Sequence, residues 1–251
     1  MGHFIFILGM HRSGTSCLAG ALERCGLYLG NVRRTGKFNA KGYYEIKAVQ
    51  QIHDQILGLN LGTWCAPPQK VLVHPFHRKA IEKIAVQLSR RPPCGLKDPR
   101  LILLLEAWLD IVPIPYLLVG TFRHPQAVAQ SLARRNGIPE EEGYKLWLHY
   151  NSALMQNHQA HKFPLVEFDL SNMTIYCHII AALALKLGLN PDLSQLHEFI
   201  SPELVHHHPD QLTVPLICRE VYAYLQRYCF GSADIPDQFV WSKTIGQSAI
   251  A

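Results

Sequence analysis

A short segment near the amino terminus combines glycine, hydroxyl and guanidinium groups in a way that suits phosphate binding. Gly9-Met10-His11-Arg12-Ser13-Gly14-Thr15-Ser16 follows the apolar run Phe4–Leu8 and precedes an apolar helical pattern. A turn between a strand and a helix points successive backbone N–H groups at one position, and the helix dipole adds about half a positive charge there. The predicted phosphate ligands are Arg12, Ser13, Gly14, Thr15 and Ser16.

This segment departs from the nucleotide-triphosphate P-loop, whose pattern is G-x-x-x-x-G-K-[ST]. Thr15 stands where that motif has its lysine. An ordinary capped strand–helix turn, with Ser13 as the cap, is the alternative interpretation. Because strand, glycine pair, hydroxyl cluster and helix coincide, the pattern favours an anion site.

A second anion site is predicted at the end of the apolar run Tyr116–Thr121. Arg123 follows that run, and Pro125 suits the first turn of a helix. Ser131 lies eight positions after Arg123, about two helical turns further on. A guanidinium group at a strand end and a hydroxyl on the next helix can converge on one phosphate. Taken singly, Arg123 fits a surface ion pair equally well.

Strands and helices must hold these side chains, and the apolar pattern predicts both. The predicted strands are Phe4–Leu8, Cys94–Leu96, Tyr116–Thr121 and Pro164–Phe168. The predicted helices are Thr15–Cys25, Glu45–Leu59, His77–Arg90, Arg100–Ile111, Pro125–Arg135, Glu140–His158, Thr174–Leu187 and Leu216–Tyr228. Strands that alternate with helices are typical of an α/β fold with a mainly parallel sheet. The segments Leu27–Tyr44 and Asn60–Pro75 are loop-like, and the first, which follows the first strand–helix unit, is a candidate wall or lid of a ligand crevice.

Composition limits the class of protein. The 251 residues, with 48% hydrophobic and 17% charged, indicate a globular chain, and one domain is favoured over two. A net charge of +5 suits an anionic ligand but does not predict nucleic-acid binding. The seven cysteines include no C-x-x-C pair, which indicates reduced thiols rather than disulfides or zinc. The His206–His208 run is not a spaced ligand set, so no metal is predicted.

No targeting segment is recognisable in the sequence. The run Phe4–Leu8 is too short for a signal-peptide core, and Phe6 occupies the position where a myristoylation signal has Ser or Thr. The apolar runs Leu101–Leu105 and Ile179–Leu187 are far shorter than a membrane span. We therefore expect a soluble, cytoplasmic protein.

Together, the two anion motifs resemble the sulfotransferases that use 3′-phosphoadenosine 5′-phosphosulfate (PAPS). The phosphosulfate loop of that family is a basic residue followed by Ser-Gly-Thr-Thr/Ser, which Arg12-Ser13-Gly14-Thr15-Ser16 matches. Its 3′-phosphate motif is a strand-terminal Arg with a Ser eight residues on, matched by Arg123 and Ser131. Other segments resemble the bacterial branch: Gly42-Tyr43-Tyr44-Glu45 with Trp64 downstream, Leu96-Lys97-Asp98-Pro99-Arg100, Leu146-Trp147 with Tyr150-Asn151, and Val166–Leu170.

The resemblance covers about residues 4–205 and implies a single domain over 1–251, with a C-terminal helical segment and tail at 206–251. It implies a P-loop-like three-layer fold with a central, mainly parallel sheet flanked by helices. PAPS would be the donor, adenosine 3′,5′-bisphosphate the product, and no metal would be needed. The acceptor would carry a hydroxyl group, with a carbohydrate favoured and a lipid or small metabolite left open. Oligomeric state is also left open.

The resemblance further bears on the catalytic groups. It implies that Arg12 neutralises the leaving phosphate and that Lys97 lies near the transferring sulfuryl group, although a surface pair of Lys97 with Asp98 is the alternative. In the cytosolic branch a catalytic His lies two positions after the motif Lys, and Pro99 stands there in this chain. We therefore expect a different general base, and Glu45 is the leading candidate.

The case for Glu45 is positional. On the predicted helix its carboxylate heads an apolar stripe formed by Val49, Ile52, Ile56 and Leu59. The alternatives are that Glu45 only stabilises the helix start or pairs with Arg33 or Arg34. His53 and Asp54 are reserve bases.

Five further observations stay open. Asp98 is a candidate clamp for Arg100. Trp64 and Trp147 are candidates for an adenine or sugar site, with core packing favoured for Trp147. His11 either contacts the acceptor or fills the turn. The cytosolic branch's C-terminal Gly-rich basic segment has no counterpart in Phe230–Ala251.

Two other functions compete with sulfuryl transfer. A P-loop small-molecule kinase is the first, because Leu101–Leu105 with Glu106 superficially resembles a Walker B strand. Pro99 before this run and apolar residues after it indicate a buried helix instead, and the P-loop lysine is missing. A non-catalytic nucleotide-binding scaffold is the second.

Overall fold

A four-stranded parallel sheet forms the centre of the protein. The structure is a computed structural model that describes residues 2–36, 41–200, 214–231 and 234. Its strands are β1 (Phe4–Leu8), β2 (Cys94–Lys97), β3 (Tyr116–Phe122) and β4 (Leu165–Glu167), in the order β2-β1-β3-β4 with every pair parallel. The carboxyl ends of all four strands therefore lie at one edge, where the ligand crevice of an α/β sheet forms.

Helices cover both faces of the sheet. They are α1 (Thr15–Arg24), α2 (Lys47–Leu59), α3 (Pro75–Leu88), a 3₁₀ helix (Pro99–Leu103), α4 (Leu105–Leu109), α5 (Pro125–Asn136), α6 (Glu140–His161), α7 (Met173–Lys186), α8 (Leu193–Phe199) and α9 (Leu216–Arg227). In β1, Phe4 and Phe6 pack into one core with α2 to α6 and α9, while Ile5 and Ile7 pack into a second with α1, α7 and α8. The expected α/β fold with three layers is confirmed.

Most element boundaries agree with the sequence prediction to within three residues, and three points differ. The predicted helix Arg100–Ile111 is a 3₁₀ helix followed by α4. Asp98 caps the 3₁₀ helix, since its carboxylate accepts the Arg100 N–H at 2.9 Å. Leu104 (φ −123°, ψ 10°) then interrupts the helical path before α4. Helix α8 was not predicted; Asp192 caps it by accepting the N–H of Ser194.

The third difference concerns Glu45, which does not lie in helix α2. The helix begins at Lys47, and Ile46 before it is extended (φ −83°, ψ 122°). The apolar stripe also ends early, because Leu59 is 60% exposed. Glu45 is nevertheless buried, so the carboxylate points inward from the chain that enters the helix.

Some predictions fall outside the described residues: the His206–His208 run and most of the predicted C-terminal tail. Within the described ranges, no helix combines the length and apolar character that crossing a membrane requires.

Candidate active site

Two glycines allow the loop after β1 to pack against the ends of the other strands. Gly14 has φ +82° and precedes α1, and a Cβ atom there would lie 2.3 Å from the ring of Phe168. A Cβ atom on Gly9 (φ +150°) would lie 2.4 Å from the carbonyl oxygen of Thr121. Any side chain at these positions would push the loop off β3 and the residues after β4.

The two predicted anion motifs meet through one hydrogen bond. Arg12 adopts φ +65°, and its Nε atom donates to Ser131 Oγ at 2.8 Å. Ser131 is buried on α5, where the eight-residue spacing from Arg123 places it. Burial, followed by the nearby charges of Arg135 and Arg123, lowers the pKa of Arg12 to about 10. The site therefore holds this guanidinium group at an electrostatic cost that a bound anion would offset.

Arg123 lies beside the ring of Phe168. Its guanidinium carbon is 5.3 Å from the centre of the Phe168 ring, which also packs under Gly14. Burial, and then the charge of Arg134, lowers the pKa of Arg123, and Asp169 opposes this shift. Positive charge is thus concentrated at the carboxyl edge of β3 and β4, as a polyanionic ligand requires.

The hydroxyl groups of the loop differ in their surroundings. Ser13 is fully buried, its carbonyl accepts a hydrogen bond from Thr121 Oγ1 at 3.1 Å, and its own Oγ has no partner within the described residues. Thr15 is buried at the start of α1. Ser16 Oγ donates to the carbonyl oxygen of Tyr43 at 3.1 Å and accepts from Lys97 Nζ at the same distance.

Lys97 and Glu45 form a buried ion pair beside this loop. Lys97 Nζ lies 2.5 Å from Glu45 Oε1 and 2.9 Å from the carbonyl oxygen of Tyr43. The second carboxylate oxygen of Glu45 accepts from Gln50 Nε2 at 2.5 Å. All three hydrogen-bonding partners of the ammonium group therefore belong to the site.

The alternative pairings considered for these two residues are wrong. Asp98 pairs with Arg100 and His53 rather than with Lys97. Arg34 pairs with Glu23 at 2.6 Å rather than with Glu45, and Arg33 reaches Glu45 only through a backbone hydrogen bond.

A buried polar network adjoins the site and connects Asp98, Arg100, His53 and Trp108. Asp98 accepts hydrogen bonds from Arg100 Nη1 at 3.0 Å, which confirms its role as a clamp, and lies 3.1 Å from His53 Nδ1. Burial opposes the Asp98 charge, but His53 and Arg100 outweigh it and hold its pKa well below the usual range. Because Trp108 Nε1–H donates to His53 Nε2 at 2.9 Å, His53 carries its proton on Nδ1 and has both nitrogens occupied. A base role for His53 would require breaking this network.

The phosphate loop and the Lys97–Glu45 pair line one cavity of about 260 Å³. Of the predicted site residues it brings together Arg12, Thr15, Ser16, Glu45 and Lys97. Ser131 is linked to the cavity through Arg12, whereas Arg123 does not line it and lies beside Phe168. The cavity also includes residues that the sequence prediction did not identify as functional: Arg33, Tyr43, Gln50 and Arg135. For Tyr43 a signal existed, since it belongs to the segment that precedes Glu45.

Aromatic groups form another wall of the cavity. Trp64 is partly exposed there, its carbonyl oxygen accepts from Tyr150 Oη at 2.9 Å, and its ring centre lies 4.5 Å from that of His11. Burial, and then the charges of Arg100 and Lys97, lower the pKa of His11 to about 3, so its imidazole is neutral near pH 7. Trp147 instead packs fully in the core, and its Nε1 donates to the carbonyl of Arg123 at 3.0 Å.

Comparison with known proteins identifies the fold. No family model and no curated protein matches the sequence. Among solved structures, the sulfotransferase domain of the Synechococcus PCC 7002 olefin synthase superposes with a TM-score of 0.51 at 15% identity, over 88% of this chain and 93% of that domain. The chain has a sulfotransferase-type fold. A second sulfotransferase domain, from the curacin biosynthetic pathway, aligns over 100% of this chain and 93% of its own length, with a TM-score of 0.40 and 17% identity.

Proposed function

We propose that the protein is a sulfotransferase that moves the sulfuryl group of PAPS to an acceptor hydroxyl. One observation carries the proposal: Arg12 joins the two anion motifs by its hydrogen bond to Ser131, and the same guanidinium lines the cavity that holds Lys97 and Glu45. Group transfer from a doubly phosphorylated donor requires two neighbouring anion sites and a base with a cation next to them. The two anion motifs and the Lys97–Glu45 pair would supply these groups.

In the proposed in-line transfer each residue has a separate role. Glu45 accepts the proton of the attacking hydroxyl while the acceptor oxygen forms its bond to sulfur. The bond between sulfur and the bridging phosphate oxygen breaks, and its electron pair stays on adenosine 3′,5′-bisphosphate. Arg12 and Lys97 stabilise the charge that develops on that oxygen, and Ser16 orients Lys97. Arg123 and Ser131 bind the 3′-phosphate in this proposal.

A carbohydrate hydroxyl remains the favoured acceptor, in a cytoplasmic enzyme that needs no metal. The kinase alternative is weaker, because Thr15 replaces the P-loop lysine and the run Leu101–Leu105 is helical instead of a Walker B strand. A non-catalytic scaffold would not need a buried Lys97–Glu45 pair beside its anion site.

Two measurements test the proposal. Calorimetry should show binding of adenosine 3′,5′-bisphosphate and much weaker binding of ATP with magnesium; the reverse order would favour the kinase. Incubation with PAPS labelled in its sulfuryl group, across a set of hydroxyl acceptors, should transfer the label. Tight binding of the bisphosphate without consumption of PAPS for any acceptor would indicate the scaffold.

A further inference from the structure

Cationic side chains outnumber carboxylates around the cavity. Among the described residues, the carboxylate of Glu45 lines it together with five cations, which are Arg12, Arg33, Lys97, Arg100 and Arg135. The proposed donor is a polyanion, so part of this positive charge serves the donor. The cations that neither the donor nor the protein's own carboxylates occupy then determine what kind of acceptor the cavity binds.

Three of the five cations lie around the phosphate loop. Arg12 is part of the loop, and Lys97 Nζ donates to Ser16 Oγ at 3.1 Å. Arg135 is close to Arg12, because after burial its charge is the largest cause of the lowered pKa of Arg12. Arg135 also donates to the hydroxyl group of Tyr43 at 3.2 Å. These three side chains therefore belong to the donor side of the cavity.

The remaining two cations differ in their partners. Arg100 is paired with carboxylates of the protein, since its Nε donates to Asp54 at 2.7 Å and its Nη1 to Asp98 at 3.0 Å. None of the described carboxylates forms an ion pair with the side chain of Arg33. Arg33 is exposed to solvent and also lines the cavity, which places it at the mouth. It is thus the cation of this wall that a ligand can neutralise.

An aromatic ring orients the Arg33 side chain. The guanidinium carbon lies 4.9 Å from the centre of the Tyr43 ring. That ring is held in turn, because it packs on Gly36, where a Cβ atom would overlap it, and because its hydroxyl accepts from Arg135. A guanidinium group that stacks on a ring keeps the N–H groups at its edge available for hydrogen bonds.

The backbone places Arg33 next to the proposed base. The N–H of Arg33 donates to the carbonyl oxygen of Glu45 at 3.2 Å. The carbonyl oxygen of Arg33 accepts from the N–H groups of Tyr43 at 2.9 Å and Tyr44 at 3.0 Å. Three hydrogen bonds therefore join the two segments, and a ligand whose hydroxyl reaches Glu45 also lies within reach of the Arg33 side chain.

We infer that Arg33 is an acceptor-binding residue and that the acceptor is a hydroxy compound that also carries an oxyanion. The inference rests on the proposed function. The hydroxyl gives its proton to Glu45, while the oxyanion accepts hydrogen bonds from the fork of Arg33. A carboxylate and a phosphate share this chemistry. The excess of cations around the cavity offsets the repulsion between such an acceptor and the anionic donor.

Sugars that differ in charge at one carbon, assayed with labelled PAPS, test the inference. Glucuronic acid carries a carboxylate at carbon 6, glucose 6-phosphate a phosphate ester, and glucuronamide a neutral amide of nearly the same shape as the carboxylate. At least one charged sugar should exceed glucuronamide in kcat/KM by about tenfold, the effect of a charged hydrogen bond. The faster of the two identifies the oxyanion as carboxylate or phosphate.

Variants assign the preference to Arg33. Arg33→Gln removes the charge, so the preference for the charged sugar should fall to about threefold or less, chiefly through a higher KM. Affinity for adenosine 3′,5′-bisphosphate, measured by calorimetry, should fall much less than in Arg123→Ala. Arg34→Gln is the matched control: it removes the same charge from the next residue, which pairs with Glu23 and does not line the cavity, and it should keep the preference.

The outcomes separate the inference from the proposed function. If the bisphosphate does not bind and no label is transferred, the proposed function is wrong. If the bisphosphate binds but glucuronamide reacts as well as both charged sugars, the inference is wrong. If no sugar reacts, calorimetry with the bisphosphate complex makes the same comparison, and the absence of a gain in affinity for the charged sugars would overturn it.

The role of Arg33 has its own contrary results. An unchanged preference in Arg33→Gln would overturn it. A loss of bisphosphate affinity as large as that of Arg123→Ala would show that Arg33 binds the donor instead. If Arg33→Gln unfolds, Arg33→Met, which keeps an apolar stem on the Tyr43 ring, takes its place with the same expected results.

Discussion

Lys97 Nζ and Glu45 Oε1 lie 2.5 Å apart, although 52 positions separate the two residues in the chain. The lysine ends β2, and the glutamate lies on the segment that enters α2. Only 1% of the lysine side chain and 10% of the glutamate side chain are exposed. Each charge is therefore stable in its position only while the other is present. In the proposed reaction this arrangement holds the base and the cation side by side.

The first prediction concerns the base. Glu45→Gln keeps the shape of the side chain and removes its ability to accept a proton, so kcat should fall by about 10² to 10⁴. Affinity for adenosine 3′,5′-bisphosphate, measured by calorimetry, should hold. Glu106→Gln, at an exposed glutamate, is the matched control and should keep its kcat. A near-normal kcat in Glu45→Gln would pass the role to Asp54 or to a substrate-bound water.

A double variant separates catalysis from stability. Removing Glu45 alone leaves the Lys97 charge buried without its carboxylate, which typically destabilises a protein by about 3–5 kcal/mol. Adding Lys97→Met should recover much of the thermal stability that Glu45→Gln loses. Activity should stay low in the double variant, because neither the base nor the cation is present.

The second prediction concerns the 3′-phosphate. Arg123→Ala should weaken adenosine 3′,5′-bisphosphate by about 1.5–3 kcal/mol, the value of a charged hydrogen bond, and adenosine 5′-phosphate much less. Calorimetry with both ligands measures the difference, since only the first carries the 3′ group. Arg78→Ala, at an exposed arginine that pairs with Asp110, should change neither affinity. Equal losses for the two ligands would show that Arg123 does not read the 3′-phosphate.

The third prediction is metal-independent turnover. Arg12 and Lys97 line the cavity where a magnesium ion would otherwise neutralise the leaving group. Label transfer from PAPS should therefore proceed at the same rate with and without a chelator such as EDTA. Activity that disappears with the chelator and returns with magnesium would support the kinase alternative.

The fourth prediction concerns the phosphate loop. Gly14→Ala introduces a Cβ atom 2.3 Å from the Phe168 ring at a left-handed backbone position, so it should lower the thermal stability and the affinity for the bisphosphate together. Gly58→Ala is the control: Gly58 lies in α2 with no atom within 4 Å of the new Cβ, and the change should stabilise the protein by about 0.5–1 kcal/mol. Normal stability and binding in Gly14→Ala would mean that the loop does not need this glycine.

The elements that contiguous patterns encode could be predicted from the sequence. Strand β1 agrees residue for residue, because its five apolar residues are all buried and Gly9 follows them. The link between the two anion motifs also follows from the fold, since parallel strands bring Arg12 and Ser131 to one edge.

The remainder depends on contacts between distant segments. No local pattern near Lys97 indicates that its partner is Glu45 rather than the adjacent Asp98. The break at Leu104 likewise has no local signal, because the run Leu101–Leu105 is apolar throughout. Helix α8 was missed because seven residues with two buried apolar side chains give little periodicity.

The fifth prediction concerns His11 and acid stability. His11 is partly buried, its Nε2 atom is sealed with no partner among the described residues, and burial together with Arg100 and Lys97 lowers its pKa to about 3. Between pH 6.5 and pH 3 the unfolded chain therefore binds a proton at His11 that the folded chain does not. Unfolding is favoured as the pH falls through this window, by up to about 1.4 kcal/mol per pH unit.

Two variants isolate this effect from the other titrating groups. His11→Gln and His11→Phe both lack the proton site, so their free energy of unfolding should fall less between pH 7.5 and pH 5 than that of the wild type. Denaturant titrations at both pH values measure the difference, and groups far from the loop cancel because they are the same in all three proteins. The expected gap is up to about 2 kcal/mol at pH 5, whatever the stability of each variant at pH 7.5. If the three proteins lose stability in parallel, His11 is protonated in the folded state, and its neutral form plays no part in the site.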